Sequence, residues 1–122
     1  MAIQLDGAGI AKTKTLDEAL LLLQRINGLV EQYALALKNQ QPTGPFVQNI
    51  RRTLPSLAAN LTDQFGLIAE VVTSVNLAAS RGASENVRLR QLREGVSQIR
   101  QSLEVAFSQV RARHVIKEES SE

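Results

Sequence analysis

The sequence contains no cysteine and only one histidine. The lack of cysteine excludes disulfides, thiolate nucleophiles and cysteine-bound zinc. His114 has no second histidine with which to hold a metal, and it lies near the end of a predicted helix, so we expect a surface histidine. The few carboxylates do not combine with a histidine or a glycine-rich loop in a pattern that supports catalysis. We therefore expect a protein that is not an enzyme and that holds no metal or cofactor.

Aromatic residues and long apolar runs are also scarce. Only 3% of the residues are aromatic, so the predicted core consists of leucine, valine, isoleucine and alanine, which favours close helix packing over a large ligand pocket. No segment approaches the roughly 20 apolar residues of a membrane span, and residues 1–14 have no apolar run of the kind found in signal peptides. We expect a cytoplasmic protein with no membrane contact.

The clearest pattern in the chain is a heptad stripe in its C-terminal third. Apolar residues there recur at alternating spacings of three and four, which is typical of a helix that packs against other helices. The stripe consists of Leu89, Leu92, Val96, Ile99, Leu103, Ala106 and Val110. It predicts a helix from Glu85 to about His114, with Ser84 as the N-cap.

Two further helices are predicted before this one. Residues 15–18 (Thr-Leu-Asp-Glu) have the pattern of a capping box, and apolar periodicity continues from there to about Asn39. Pro45 suits the first turn of a second helix that runs to about Ser80. Pro55 removes one backbone hydrogen bond from that helix, so we expect a kink or break between residues 52 and 55, with a possible fourth short helix.

These elements predict an all-α fold, namely an elongated antiparallel up-down-up bundle of three long helices. We expect a flexible N-terminal arm at residues 1–14, a helical bundle domain at 15–116 and an acidic, disordered tail at 117–122. Gly28, Gly66 and Gly95 fall inside the predicted helices, where each glycine costs close to 1 kcal/mol relative to alanine. Close approach of a neighbouring helix would offset that cost, although simple tolerance is the alternative.

The first predicted helix is apolar on nearly all sides, which soluble monomers usually avoid. Four leucines lie outside its main stripe or extend it: Leu21, Leu22, Leu29 and Leu35. We expect them to form an oligomer interface, as in a homo-oligomer, or to dock a helix of another protein. The alternative is that the segment before Pro55 folds back and covers them within one chain.

Basic residues are concentrated near the C-terminal end, where residues 81–117 hold eight basic against three acidic residues. The candidate contacts are Arg88, Arg90, Arg93, Arg100 and Arg111. Such a row suits nucleic-acid backbone or an acidic protein. No aromatic residue alternates with the arginines, so base stacking is not supported. The alternative is that Arg93 and Arg100 form salt bridges between helices of the bundle.

A resemblance to a known family lies in residues 48–61, which contain Ile50, Arg51, Arg52, Ser56, Leu57 and Asn60. This segment resembles the bacterial four-helix-bundle proteins encoded in ribosomal-RNA intervening sequences, which are related to the accessory variability proteins of diversity-generating retroelements. The chain departs from the family pattern at Asp63 and Gln64, where glutamate and glycine are expected. The resemblance implies a basic, ring-shaped homo-oligomer, typically a pentamer, that binds a reverse transcriptase and nucleic acid. It adds Arg51 and Arg52 to the candidate binding residues.

Taken together, the patterns predict a non-enzymatic helical-bundle adaptor or accessory subunit. It would self-associate and use a basic helix face to contact nucleic-acid backbone or an acidic protein. The alternative is a purely structural coiled-coil module, with arginines that pair internally and no binding to nucleic acid.

Overall fold

A computed structural model describes residues 5–81 and 84–114 of the chain, and most of them are helical. The four helices are α1 (Gly7–Lys38), α2 (Gly44–Leu61), α3 (Gly66–Ser80) and α4 (Glu85–Arg113). The predicted all-α bundle is therefore confirmed, as are the bounds of its last helix. Ser84 caps α4 as predicted, because its hydroxyl accepts a hydrogen bond from the Val87 amide at 3.3 Å.

The helices pack in a closed ring in which each one contacts its two neighbours in sequence and α4 returns to α1. The first turn of α1 lies beside the end of α4, since the Asp6 amide donates to the His114 carbonyl at 2.8 Å. At the other end of the bundle, the Tyr33 hydroxyl donates to the Glu85 carbonyl at 3.2 Å. The end of α2 lies beside the N-terminal half of α1, where the side-chain amide of Asn60 donates to the Thr15 carbonyl at 3.2 Å. The arrangement is an up-down-up-down bundle.

The predicted second helix is in fact two helices, so the prediction of three long helices is wrong. The chain remains helical through Pro55 and reverses direction only at residues 62–65. Pro55 is exposed, so the carbonyl four residues earlier, which loses its amide partner, can be solvated instead. The reversal begins with Thr62 and Asp63, which have low helix propensity, and ends at Phe65, whose φ of −138° and ψ of 57° are not helical.

The first helix begins nine residues earlier than predicted. Asp6 is its N-cap, and one Asp6 carboxylate oxygen accepts a hydrogen bond from the Gly9 amide at 2.7 Å. Thr15 lies inside the helix, where its hydroxyl donates to the Ala11 carbonyl rather than capping. Residues 7–14 are thus helical and not a flexible arm. Residues 1–4 and the predicted acidic tail at 117–122 lie outside the described residues.

The core consists of one line of apolar residues from each helix. On α4 the buried members are Leu92, Val96, Ile99, Leu103, Ala106 and Val110. This confirms the predicted stripe except at Leu89, which is half-buried. Tyr33 is the largest fully buried side chain. None of the helices within residues 5–81 and 84–114 combines the length and apolar character needed to cross a membrane.

The predicted close helix approach occurs at one of the three helical glycines. A β-carbon added to Gly95 would lie 2.6 Å from Cγ1 and 2.8 Å from Cγ2 of Val75 on α3. A β-carbon added to Gly28 or Gly66 would meet no atom within 4 Å. The absence of a side chain at Gly95 therefore lets α3 and α4 pack closely, whereas the other two glycines are tolerated without such a contact.

We expect Gly95→Ala to lower the free energy of unfolding by about 1 kcal/mol. The forced contact with the stiff Val75 side chain costs about 1–3 kcal/mol as overpacking, which outweighs the gain of close to 1 kcal/mol from better helix propensity. Gly28→Ala is the matched control, and it should stabilise the protein by up to about 1 kcal/mol. Urea unfolding followed by circular dichroism measures both. Equal stabilisation by the two variants would contradict the role assigned to Gly95.

Candidate interaction site on α1 and α4

Arg88 is engaged within the bundle. Its Nε donates to the Ala79 carbonyl at 3.0 Å, which satisfies one of the carbonyls left without a partner at the end of α3. Burial raises the pKa of the Tyr33 phenol, and the nearby Arg88 guanidinium opposes that rise. Arg88 therefore joins the ends of α1, α3 and α4.

Arg93 forms a salt bridge between helices of the bundle, which was the alternative to binding an external partner. Its Nη2 and Nε donate to the two carboxylate oxygens of Glu31 at 2.9 and 3.2 Å. Hydrogen bonding to Arg93 lowers the pKa of the Glu31 carboxyl from its ordinary value. Both side chains are about half exposed, so this pair aligns α1 with α4 and contributes little to stability.

Arg100 has no equivalent acid opposite it. In an antiparallel helix pair, one heptad forward on α4 corresponds to one heptad backward on α1, and the register set by Arg93 and Glu31 places Arg100 near Gln24. Arg100, Arg90 and Arg111 form no ion pair or side-chain hydrogen bond with any other residue in the described part of the chain. These three guanidinium groups are therefore available to an external anion.

Arg51 and Arg52 lie on a different surface. Both are exposed on α2, and α2 packs on α1 and α3 but not on α4. The seven candidate arginines therefore do not form one continuous basic surface, because the pair on α2 is diagonal to the row on α4. The sequence placed Arg51 and Arg52 in the segment that resembles the known family, but it did not show which surface of the bundle they occupy.

The four candidate leucines also divide into two groups. Leu22 and Leu29 are half-buried and pack against the core, so part of the predicted oligomer interface is used within the chain. Leu21 and Leu35 are 67% and 59% exposed. They are two heptads apart, which places them on the same line of α1.

The exposed leucines and the arginine row share one surface. Leu35 and Glu31 of α1 line a depression of about 460 Å³ together with Leu89 and Arg93 of α4. By heptad spacing, Leu21 lies two heptads before Leu35 along α1, and Arg100 lies one heptad after Arg93 along α4. The name "α1–α4 face" is used here for the surface formed by Leu21, Leu35, Leu89, Arg93 and Arg100. It is apolar along its centre, and its α4 side carries two arginines, of which Arg93 is paired with Glu31 and Arg100 is not.

A cluster of polar side chains links the start of α1 to the end of α4, and the sequence did not predict it. His114 Nδ1 lies 3.2 Å from an Asp6 carboxylate oxygen, and His114 Nε2 lies 3.2 Å from Lys12 Nζ. The hydrogen bond from the Gly9 amide, followed by the contact with His114, lowers the pKa of the Asp6 carboxyl. His114 is thus half-buried and paired rather than a free surface histidine. The signal in the sequence was Asp6, three residues before Gly9 at a helix start.

This cluster does not have the composition of a metal site. Across residues 5–81 and 84–114, no three histidine, aspartate or glutamate side chains come together as a metal site requires. Comparison with protein-family models, curated proteins and solved structures finds no match to the chain. The geometry of the α1–α4 face is therefore the observation that bears on function.

We expect acid to weaken the closure between the start of α1 and the end of α4. The Asp6 pKa is lower in the folded protein than its ordinary value of 3.8, so its stabilising effect is present above about pH 4 and is lost as the pH falls through the folded pKa. Asp6→Asn should lower the thermal midpoint at pH 7 and show a smaller further drop between pH 4 and 2.5. Circular dichroism melting measures this. Asp17→Asn, which removes another exposed carboxylate from α1, is the control. An identical acid response of wild type and Asp6→Asn would refute the assignment.

Proposed function

We propose that this protein is a non-enzymatic, self-associating adaptor whose α1–α4 face binds an acidic amphipathic helix of another protein. The observation that carries the proposal is the presence of exposed leucines and available arginines on the same face. An amphipathic helix that lies in a groove uses an apolar line for affinity and its flanking charges for orientation.

The apolar part of the face matches the repeat of a partner helix. Leu21 and Leu35 are separated by 14 residues, or about 21 Å along α1, which corresponds to four helical turns of an antiparallel or parallel partner. Gly28 lies midway between them and leaves open space above the helix. Burying each exposed leucine would contribute about 1.5–3 kcal/mol before the costs of association.

The charge of the face favours an acidic partner. Arg100 forms no ion pair with another described residue, so a carboxylate on the flank of a docked helix would gain a partner rather than compete for an occupied one. Nucleic-acid backbone would use the arginines but would leave the leucines in water. An acidic helix uses both groups, and for that reason it is the partner we favour.

A second candidate function is the purely structural coiled-coil module. The internal contacts of Arg88 and Arg93 favour it, because both arginines serve the bundle itself. In this case the partner helix would be apolar rather than acidic, and Arg100 would have no role in binding.

The proposal predicts that leucine and arginine substitutions on this face weaken binding of the same ligand. The probe is a labelled four-heptad helical peptide with leucine at the core positions and glutamate on the flanks, titrated by fluorescence anisotropy. Leu35→Gln should weaken binding at least tenfold, because one buried leucine is lost. Arg100→Gln should weaken it roughly two- to fivefold, as expected for an exposed charge pair. A version of the peptide with glutamine on its flanks should not respond to Arg100→Gln.

Matched controls come from other surfaces of the bundle. Leu77→Gln on α3 and Arg51→Gln on α2 each remove an exposed side chain of the same type and should leave binding unchanged. A 20-bp DNA duplex tests the competing partner. If the duplex binds, if Arg100→Gln reduces the slope of log K against log salt by about 0.9, and if Leu35→Gln has no effect, the acidic-helix proposal is overturned in favour of nucleic acid.

A further inference from the structure

Lys12 differs from the other lysines of the described residues because its ammonium group contacts a histidine. Its Nζ lies 3.2 Å from His114 Nε2. It forms no ion pair with a carboxylate in the part of the chain that the structure describes. Lys14 and Lys38 lie on the same helix, and both are exposed. Within residues 5–81 and 84–114 neither of them contacts a histidine or forms an ion pair.

The contacts of His114 determine which of its ring nitrogens carries the proton. An ammonium group donates hydrogen bonds and cannot accept them, so Nε2 is the acceptor in the contact with Lys12 and carries no proton. The proton of the neutral ring is then on Nδ1, which lies 3.2 and 3.3 Å from the two carboxylate oxygens of Asp6. The hydrogen-bond network therefore assigns Nδ1–H as the donor to Asp6 and directs the lone pair of Nε2 at Lys12.

The imidazole is held in this position by contacts on both of its sides. The His114 carbonyl accepts from the Asp6 amide at 2.8 Å. A β-carbon added to Gly9 would lie 2.6 Å from the β-carbon of His114, so the absence of a side chain at Gly9 makes room for the histidine. The Gly9 amide also donates to the Asp6 carboxylate at 2.7 Å. Asp6, His114 and Lys12 are thus aligned before any reactant arrives.

A carboxylate, an imidazole and a nucleophile in this order form an arrangement that removes a proton from the nucleophile. Here the nucleophile is the nitrogen of Lys12. When His114 Nε2 takes a proton from the ammonium group, the positive charge moves onto the ring that contacts Asp6. The transferred proton is stabilised because the charges then lie closer together. The amine that remains on Lys12 has a free lone pair.

We propose that Lys12 is a site of self-acylation by a small thioester. The lone pair of the Lys12 amine forms a C–N bond to the thioester carbonyl carbon, and the C–S bond breaks with its electron pair on sulfur. The ammonium group loses two protons in total. The one held by His114 Nε2 passes to the leaving thiolate, and the other is released to water. The products are an Nε-acyl-lysine and a thiol, and the reaction occurs once per chain, without turnover.

The position of Lys12 gives this modification both access and a structural effect. Lys12 is half-buried, and the side chain of His114 is 19% exposed, so a small thioester can reach Nζ from solvent. Acylation removes the positive charge of the lysine, and with it the ammonium donor that contacts Nε2. The modification therefore acts on the closure between the start of α1 and the end of α4.

Treatment of the full chain with S-ethyl thioacetate, followed by mass spectrometry of its proteolytic peptides, tests the proposal. Acetylation of Lys12 should be at least tenfold faster than that of Lys14 or Lys38, which is below the effect typical of a positioned general base. His114→Gln keeps a hydrogen-bond acceptor near Lys12 but cannot take its proton. It should lower the rate at Lys12 at least fivefold and leave the rate at Lys14 unchanged.

The controls are contained in the same chain. In concentrated urea the three lysines should react at equal rates, because the contacts with His114 are lost. Circular dichroism establishes that His114→Gln is folded. Equal rates at Lys12 and Lys14 in the folded wild type overturn the proposal without use of a variant. An unchanged rate at Lys12 in His114→Gln overturns it as well. Neither result alters the expected binding of a peptide to the α1–α4 face.

Discussion

The antiparallel register of α1 against α4 is the constraint on which the described surfaces depend. It is fixed at both ends of the bundle, where Asp6 meets His114 and Tyr33 meets Glu85, and again between them by Arg93 and Glu31. A shift of one helical turn would separate all of these groups at once. The same register places Arg93 opposite Glu31 and Arg100 opposite an uncharged glutamine. It therefore determines both that Arg93 is paired and that Arg100 is available to an external anion.

The parts of this fold that could be predicted from the sequence are those in which one strong local pattern has no conflicting pattern beside it. The heptad stripe of α4 fills one side of the helix, and Ser84 precedes it at the right distance for a cap. The reversal at residues 62–65 was missed because the apolar period runs through it from Leu57 to Val75, while Pro55 offered a stronger but misleading break. The early start of α1 was missed because Gly7 and Gly9 suggested a mobile arm, whereas the Asp6 cap and contact with α4 stabilise the helix there.

The candidate site was less predictable, because its residues are sorted by contacts between helices. Composition identified an arginine-rich helix, but only the register distinguishes Arg93, which pairs with Glu31, from Arg100, which does not. The sequence showed that α1 has more leucines than one buried stripe needs. Only the position of α2 decides which of these leucines are covered. The groove of about 550 Å³ between α3 and α4 was not predicted, because glutamine and serine carry no periodic signal.

The backbone contact between Asp6 and His114 brings the two ends of the helical unit within one hydrogen bond of each other. A unit with that geometry can be spliced into a surface loop of a host protein without forcing the two sides of the loop apart. The same proximity permits circular permutation, in which a short linker joins positions 6 and 114 and new ends open at the reversal between α2 and α3. The bundle therefore suits insertion as a unit, because Asp6 and His114 lie next to each other at the end of the bundle opposite the Arg93–Glu31 pair.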